Sequence, residues 1–396
     1  MAKKIYKLEI EPLTGVHIGT GEALTPLDYT VQRTTSGSDI YMKFSSDAIL
    51  NELISKHENL GEFYTASDRN DMTGVMEFFQ KHISNAAIEY PCNVTQRFLE
   101  NYRKKKNNDP IENAREVLQM YRPSGSKKPV IPGGSLKGAI RTAVLDDVLT
   151  RTYFAKHDFD RRKDELDLAR NYAPYERQMQ QELFAYNDAK NDPFRTLLIA
   201  DAEFPAKNTQ LVGMLQNISL ANTSTGINRS SSMQIQAEII RGTLIGGQAK
   251  TETSVTIDEA LQKAKIKNDR KSFSFGKNTT KIISMKEIAG ACNYFFINNF
   301  KEEYEKFYKN ANGHVEIISK LHAALDAAIN ADDTFIVRVG RWSQVEFMTF
   351  QEVFRKPKVP TRDGRSQGYG NSRTVFDYDG EYVPLGWCKC IYTLCE

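Results

Sequence analysis

Cysteine, histidine and tryptophan are scarce in this chain, whose 396 residues contain five, six and two of them. The cysteines are odd in number, scattered and without a Cys-x-x-Cys pair. This disfavours a disulfide framework and favours a reduced, cytoplasmic protein. Cys388, Cys390 and Cys395 form a weak zinc set that buried thiols explain more simply. We therefore expect no metal site and no cofactor.

Other absences disfavour whole classes of protein. No apolar run is long enough to cross a bilayer, and the first residues lack the apolar core of a signal peptide, so we expect no membrane partner. Gly276 and Lys277 lack the upstream glycine of a phosphate-binding P-loop, and no Gly-x-Ser-x-Gly motif occurs. ATP hydrolysis and serine-hydrolase chemistry are therefore unsupported.

Charge is nearly balanced along the sequence. The formal net charge is +3, and charged residues make up 26% of the chain. Proteins that coat duplex DNA usually carry a stronger basic excess, so nucleic-acid binding here would depend on local basic patches. Hydrophobic residues make up 40%, which is enough for a substantial core, and the length predicts two domains.

Apolar periodicity predicts an α+β protein with antiparallel sheets. Strands are predicted at 5–10, 29–32, 40–44, 197–200, 211–220, 233–239, 335–339 and 387–394, with 255–257 as the neighbour of 233–239. Helices are predicted at 46–56, 285–308 and 315–329, and polar helical insertions near 60–128 and 153–192. The element order repeats loosely, which predicts an N-terminal domain over 1–215 and a C-terminal domain over 216–396.

The sequence IPGGSLKGAIR carries the strongest chemical signal. Gly133 and Gly134 allow close approach of a ligand, and Ser135 is a natural N-cap for a helix. Lys137 and Arg141 are four residues apart and therefore share a helix face. Each feature alone is common in structural helices. Together they predict a helix N-terminus beside two cations, which is a binding place for phosphate.

The same string resembles the glycine-rich signature I-P-G-S-S-x-K-G-x-x-R of the RAMP (repeat-associated mysterious protein) superfamily of CRISPR proteins, with Gly134 in place of the usual serine. Residues 16–22 resemble the family's first-strand loop, and residues 384–387 resemble its final strand. The resemblance implies tandem ferredoxin-like (RRM-like) domains that contact guide RNA. The matched positions on the implied RNA face are Gly133, Ser135, Lys137 and Arg141.

Within the superfamily, the length and the three motifs are most similar to the subunits that cap type III-A (Csm) complexes. That resemblance implies a non-catalytic subunit that binds the 3′ side of the guide RNA (crRNA) and contacts the adjacent repeating backbone subunit. It also implies target RNA, other Csm subunits and recruited host nucleases as partners, with a role in crRNA maturation in antiviral defence. Two alternatives stay open: an end subunit of a type III-B complex, and an endoribonuclease of the same superfamily.

Two residues are candidates for such ribonuclease chemistry. His17 and Gly19 lie in a glycine-punctuated loop, but acid–base cleavage needs a poised partner that we do not find, so they are predicted to contact RNA or to pack in the loop. The family resemblance makes Asp28 a candidate counterpart of an aspartate that, in the repeating backbone subunit, supports metal-dependent cleavage. A single carboxylate is a poor Mg²⁺ site, so we predict no catalytic residue.

A second basic element lies near the C-terminal end of the chain. Alternation places Arg338 on a strand face, and Arg341 and Trp342 follow a glycine. A guanidinium beside an indole suits single-stranded RNA, since it offers a phosphate contact and a stacking surface. The alternative is a strand end with a packed tryptophan.

Three weaker basic elements complete the set of candidates. Arg229 and Arg241 flank the strand at 233–239, where they would either bind phosphate or border a hairpin. The run 103–106 is the densest in positive charge and is typical of a solvated helix end. Residues 361–373 are basic and glycine-rich, and they are predicted to form either a loop that orders on RNA or a solvated loop.

Overall fold

The structure of this protein is a computed structural model. It describes residues 3–103, 116–151, 177, 180–181, 184, 186, 188–206, 209–220, 227–258, 284–309, 315–349, 359–360, 366–367 and 372–395. Within these ranges, only the backbone is described at 151, 191, 216–220, 227–234, 359–360 and 366–367.

The described residues form both strands and helices. The strands are β1 (Lys4–Pro12), β2 (Gly19–Leu24), β3 (Tyr29–Arg33), β4 (Asp39–Phe44), β5 (Ile88–Val94), β6 (Val117–Met120), β7 (Val130–Ile131), β8 (Leu197–Ile199), β9 (Ala202–Glu203), β10 (Gln210–Leu220), β11 (Ile227–Ile240), β12 (Thr251–Ile257), β13 (Thr334–Arg338), β14 (Val359–Pro360), β15 (Ser366–Gln367), β16 (Ser372–Tyr378), β17 (Glu381–Pro384) and β18 (Trp387–Leu394). The helices are α1 (Ser46–Ser55), α2 (Gly61–Asp68), α3 (Met72–His82), α4 (Gln96–Arg103), α5 (Gly133–Arg151), α6 (Met285–Glu303) and α7 (Glu316–Ile329).

The first sheet has the strand order β13-β18-β1-β12-β8 and is antiparallel throughout. In chain order β1, α5, β8, β12, α6 and β13 form a β-α-β-β-α-β unit, which is the ferredoxin-like arrangement. Strand β18 is inserted between β13 and β1. Helices α5 and α6 pack together over the sheet, and their apolar faces enclose the largest core of the protein.

The second sheet has the order β2-β6-β11-β10-β5-β4-β3, and β16 joins it through β10 and carries β17. Most of its pairs are antiparallel; the short pairs β10–β5 and β11–β6 are parallel. Helix α4 packs against β10, and α7 packs against β17. Two smaller apolar clusters lie on this sheet, separate from the core of the first.

The α+β prediction with two antiparallel-rich sheets is confirmed, and the architecture is consistent with tandem ferredoxin-like domains. Each sheet, however, contains strands from both sides of residue 215, because β1 lies between β12 and β18 and β5 lies beside β10. The proposed division at residue 215 therefore does not coincide with the separation of the sheets. The prediction that 255–257 pairs with 233–239 is wrong: β12 pairs with β1 and β8 in the other sheet.

The first predicted insertion, near 60–128, is only partly helical. It contains α2, α3 and α4, but also β5 and β6, which join the second sheet. Pro91 lies inside β5 and breaks the strand pattern, so the sequence does not reveal this strand. Most of the second predicted insertion, near 153–192, lies outside the described residues. None of the helices described is long and apolar enough to cross a membrane.

Helix α6 shows how local sequence fixes the larger fold. Ser284 and Glu287 form a reciprocal capping box that starts the helix. Midway along α6, the Asn293 side chain accepts from the Ile336 amide at 2.9 Å and donates to the Thr334 carbonyl at 3.0 Å. Since β13 is the edge strand of the first sheet, Asn293 occupies hydrogen-bonding groups that another strand would otherwise use.

Candidate functional site

Helix α5 begins at Gly133, where the backbone lies against strand β8. A Cβ atom on Gly133 would lie 2.0 Å from the Ile199 carbonyl oxygen, so only glycine fits. The Gly133 amide donates to Asp201 Oδ1 at 2.8 Å. Gly133 therefore serves close packing of the helix on its own sheet, and the carboxylate of Asp201 satisfies its free N–H group.

Ser135 lies inside the first turn of α5 and is not its N-cap, contrary to the sequence prediction. The Pro132 carbonyl accepts from the Ser135 and Leu136 amides at 2.9 and 3.3 Å, so Pro132 is the cap. Gly134 is exposed, and a Cβ atom there would meet nothing within 4 Å. At this helix start, Gly134 is therefore the residue at which the backbone is accessible to a ligand.

Arg141 is bound to its own chain. Its Nη1 donates to both carboxylate oxygens of Asp192, at 3.0 and 2.8 Å. Its Nη2 donates to the Tyr186 hydroxyl at 3.0 Å, and its Nε donates to Gln180 Oε1 at 3.2 Å. The guanidinium also lies 5.0 Å from the centre of the Phe194 ring. All three guanidinium nitrogens of Arg141 thus have partners within the chain, and RNA could bind Arg141 only by displacing them.

Lys137 lies one turn before Arg141 and is half-buried, with no hydrogen bond or ion pair to another described residue. Burial lowers its pKa, the charge of Asp192 opposes that shift, and Arg141 and Arg195 add to it. Arg195 is exposed, and no described residue pairs with its side chain. Sequence reasoning missed Arg195, which lies three residues after Asp192, the ion-pair partner of Arg141, and is near enough to Lys137 to influence its pKa.

His17 is completely buried in the loop that follows β1. Its Nδ1 lies 2.7 Å from the Glu238 carbonyl oxygen, which can only accept, so Nδ1 carries the proton. Nε2 has no partner. Burial lowers the pKa of His17 to about 4, against the hydrogen bond to Glu238, and the charge of Arg341 lowers it further. A neutral, enclosed imidazole packs in the loop and does not reach the surface.

Gly19 lies at the start of β2 and is exposed. A Cβ atom on Gly19 would lie 2.9 Å from His17 Nε2, so a larger residue would press on the buried ring. Gly19 therefore covers His17 and leaves the outer side of the loop open.

The turn at 340–344 packs directly on the His17 loop. The Arg341 amide donates to the His17 carbonyl at 2.9 Å, and the Trp342 ring lies 5.0 Å from the imidazole, centre to centre. Gly340, Trp342 and Gln344 all have positive φ, at 89°, 67° and 66°. Such conformations are costly for residues other than glycine and cluster at functional sites.

Arg341 is the exposed group of this turn. Its guanidinium lies 5.2 Å from the centre of the Trp342 ring, and no described residue forms an ion pair with it. Trp342 is half-buried, with one side against the apolar cluster of the second sheet. The turn thus offers a free cation beside a held aromatic ring, which is the arrangement that the sequence suggested for Arg341 and Trp342.

Arg338 does not belong to this surface, contrary to the sequence prediction. Its side chain is fully buried, pairs with Glu303 at 2.9 Å and donates to the Leu385 carbonyl at 2.8 Å. The strand alternation is real, but Phe347 and Trp387 cover that face of β13 with their rings 4.5 and 5.1 Å from the guanidinium carbon.

The other basic candidates have internal roles or lie outside the described residues. Arg241 donates to the Ile245 carbonyl at 2.6 Å and to the Tyr378 hydroxyl at 2.9 Å. Arg229 lies in β11, where its backbone pairs with Ile218. The side chain of Arg229 is not among those described, nor are residues 104–106 and most of 361–371.

The remaining chemical candidates show no assembled centre. Asp28 accepts from the Thr25 amide and hydroxyl at 2.9 and 3.0 Å, which is a local turn. The cysteines Cys388 and Cys390 are buried thiols, and Cys395 is exposed. Across the described part of the chain, no three His, Cys, Asp or Glu side chains lie close enough together to hold a metal ion.

The family model of the RAMP superfamily matches residues 9–342, so the chain belongs to the RAMP superfamily. Among solved structures, it is similar to a chain in "Cryo-EM structure of Csm-crRNA-target RNA ternary complex in type III-A CRISPR-Cas system", with 18% identity and a TM-score of 0.66 over 98% of this chain and 100% of that one. It is also similar to Csm5 of T. onnurineus, with 17% identity and a TM-score of 0.62 over 96% and 99%. No curated protein sequence matches it. These likenesses show a shared fold.

Proposed function

We propose that this chain is a non-catalytic, RNA-binding subunit of a type III-A Csm complex that caps the complex at the 3′ side of the crRNA. Membership of the RAMP superfamily and full-length likeness to chains of Csm structures support the proposal. In this role it contacts the adjacent repeating backbone subunit and other Csm subunits, and approaches target RNA. It also supports crRNA maturation by recruiting host nucleases.

The observation that carries the proposal is the pair of cations without ion-pair partners among the described residues, at two separate elements of the fold. Lys137 follows the open glycine at the start of α5, and Arg341 lies over Trp342 in the turn at 340–344. Free N–H groups and cations bind phosphate, and an aromatic ring stacks on unpaired bases. Affinity from such groups depends on salt and little on sequence, as a subunit that holds guides of many sequences requires.

The test is RNA binding by the double variant Lys137→Ala with Arg341→Ala, compared with the wild type. Removing two charge-assisted hydrogen-bond donors weakens binding to a single-stranded crRNA segment by at least about tenfold. The plot of log affinity against log salt flattens by roughly 0.7 for each phosphate that the protein no longer neutralises. Anisotropy titrations from about 50 to about 200 mM salt measure both.

The matched control is Lys309→Ala with Lys320→Ala, which removes the same charge from exposed helical ion pairs. It keeps wild-type affinity and nearly the wild-type salt slope. If the Lys137 and Arg341 variant binds as tightly as this control, the assigned RNA surface is wrong.

We also propose that the chain does not cleave RNA by itself. His17 is buried and neutral, and Asp28 is bound to Thr25, so neither candidate has the access or the partner that cleavage requires. Purified chain leaves crRNA intact on long incubation with Mg²⁺ and with EDTA. Cleavage that disappears in His17→Phe or Asp28→Asn would favour the endoribonuclease alternative. Co-purification with type III-B partners from the native host would favour the alternative that the chain is an end subunit of a type III-B complex.

A further inference from the structure

A buried network of two arginines and two glutamates joins the two sheets. Glu303 Oε2 pairs with Arg338 Nη1 at 2.9 Å, and Glu303 Oε1 pairs with Arg373 Nε at 2.8 Å. Arg373 Nη2 then pairs with Glu346 Oε1 at 2.6 Å. All four side chains are buried or nearly so, and their formal charges cancel.

Each member of the network comes from a different element. Arg338 ends β13 in the first sheet, and Arg373 lies in β16 in the second sheet. Glu303 is the last residue of α6, and a π-helical turn at 304–308 follows it directly. Glu346 lies in the 3₁₀ turn Val345–Phe347, just after the exposed turn at 340–344. The network therefore fixes the end of that turn to both sheets at once.

The turn at 340–344 and the 3₁₀ turn that follows it also contact both sheets. Trp342 packs into the apolar cluster of the second sheet, whereas Phe347 packs into the core of the first. Phe347 lies parallel to Phe296 of α6, with ring centres 6.3 Å apart. From Trp342 to Phe347 the backbone twice adopts positive φ at residues other than glycine, at Trp342 itself and at Gln344. Such a backbone persists only where its surroundings determine it strongly.

The network is incompletely satisfied. Glu346 Oε2 and Arg338 Nη2 are buried without a hydrogen-bond partner among the described residues, as is the nearby Trp387 Nε1. A buried ion network is weak evidence for stability, since well-packed apolar residues often serve as well. Unpaired buried atoms strengthen that point, because each carries a desolvation cost. The network is therefore better explained by the geometry it imposes, since charge pairs with fixed hydrogen bonds constrain the direction of each side chain.

We propose that Glu346, acting through Arg373, is a positioning residue that holds Arg341 and Trp342 in their RNA-binding arrangement. This inference rests on the proposed RNA-binding function of the turn. Glu346 does not contact RNA; it fixes the C-terminal end of the turn, while the His17 loop fixes its start. Without the charge pair, the turn relaxes from its positive-φ conformation, and the guanidinium and the indole separate.

The test is a double-mutant cycle on the full chain. Glu346→Gln weakens binding of a single-stranded crRNA segment by about tenfold, a change within the range of one base-stacking interaction. In the Arg341→Ala, Trp342→Ala background the same substitution has no further effect, because the groups that it positions are gone. Glu316→Gln, which removes an exposed carboxylate paired with Lys320, keeps wild-type affinity.

Tryptophan fluorescence gives a readout that does not depend on RNA. The chain has two tryptophans, and Trp387 is fully buried, so acrylamide quenching reports on Trp342. Glu346→Gln raises quenching in the free protein, and Glu346→Asp, which keeps the charge, restores much of the wild-type value. Unchanged quenching and affinity in Glu346→Gln would overturn the inference.

The other possible results separate a positioning role of Glu346 from an effect on overall stability and from a failure of the proposed RNA contact. Equal weakening of RNA binding by Glu346→Gln in both backgrounds would mean that it acts on overall stability, which would overturn the positioning role. If Arg341→Ala with Trp342→Ala binds RNA like the wild type, the proposed RNA contact of the turn fails, whereas quenching still tests whether Glu346 positions it. If Glu346→Gln does not fold, Arg373→Lys, which keeps the charge but removes the forked geometry, takes its place in the cycle.

Discussion

The helix start at 133–141 and the turn at 340–344 present the same chemistry in opposite ways. In the helix, the motif is conspicuous in the sequence, but Gly133 and Arg141 bind the protein itself, whereas Gly134, Lys137 and Gly138 remain accessible. In the turn, the sequence signal is weaker, a guanidinium beside an indole after a glycine, yet Arg341 is exposed and no described residue pairs with it. Residues of a recognisable motif thus divide into those that hold the site and those that face a ligand.

The largest effect should come from Arg141. We expect Arg141→Ala to lower the free energy of unfolding by about 3 kcal/mol, because it leaves the Asp192 carboxylate without its partner in a largely buried place. Urea denaturation measures the change. Lys137→Ala, one turn earlier, is the control and changes stability by less than about 0.5 kcal/mol. Equal effects at the two positions would remove the distinction between holding and binding residues on this helix.

The two adjacent glycines should behave oppositely. Gly133→Ala places a methyl group against the Ile199 carbonyl, a rigid backbone atom, and we expect the free energy of unfolding to fall by about 2 to 3 kcal/mol. Gly134→Ala meets open space in a helical position, and we expect a gain of up to about 1 kcal/mol. Thermal unfolding of the two variants gives the comparison. A tolerated Gly133→Ala would mean that α5 can move away from β8.

The free energy of unfolding should depend on pH through His17, which packs against the turn at 340–344. Its folded-state pKa of about 4 lies below the ordinary value of 6.5, because burial disfavours the charged ring. The unfolded chain therefore takes up a proton before the folded one does, so stability is complete above pH 6.5 and falls as pH falls towards 4. The decrease in the free energy of unfolding between about pH 7 and about pH 5 is about 2 kcal/mol.

Denaturation at these two pH values measures the decrease, with His17→Phe as the matched variant. Phenylalanine keeps a ring beside Trp342 but cannot take up a proton. The substitution lowers the free energy of unfolding at neutral pH, because the Glu238 carbonyl no longer has its donor. It also removes the contribution of residue 17 to the pH dependence. An equal pH dependence in both proteins would contradict a buried, neutral His17.

The smallest effect on stability should come from the free cations. Arg341→Ala and Arg195→Ala each change the free energy of unfolding by less than about 0.5 kcal/mol, since no described residue pairs with either side chain. Both should nevertheless flatten the salt dependence of RNA binding, Arg341 at the turn and Arg195 beside Lys137. If Arg195→Ala leaves the slope unchanged, the RNA-binding face of the helix is limited to Lys137 and the open helix start.

Local patterns predicted the individual elements well. The last strand and the helices α6 and α7 lie where alternation and helical spacing place them, because each buries one regular apolar face. What the patterns do not contain is pairing between distant segments. The contact of Trp342 with His17 depends on β1 and β13 entering one sheet, on either side of β18.

The site was predictable in its residue types and less so in their exposure. Arg338 and Arg341 are three residues apart and chemically alike, but one lies beneath Phe347 and the other faces solvent. Strand alternation gives the face on which a side chain lies and says nothing of what later covers that face. Asp201, whose carboxylate accepts from the first amide of α5, was missed for a similar reason, since its partner Gly133 lies in a distant part of the sequence.

The placement of β1 between β12 and β18 has a consequence for biogenesis. The first strand leaves the ribosome long before the last one, by roughly 20 to 80 seconds at usual elongation rates. Until then β1 has an open edge along which Leu8 and Ile10 will later face Tyr392 and Cys390. The nascent chain therefore cannot complete its first sheet until β18 has been synthesised, and removing β18 should leave aggregation-prone protein rather than a smaller working one.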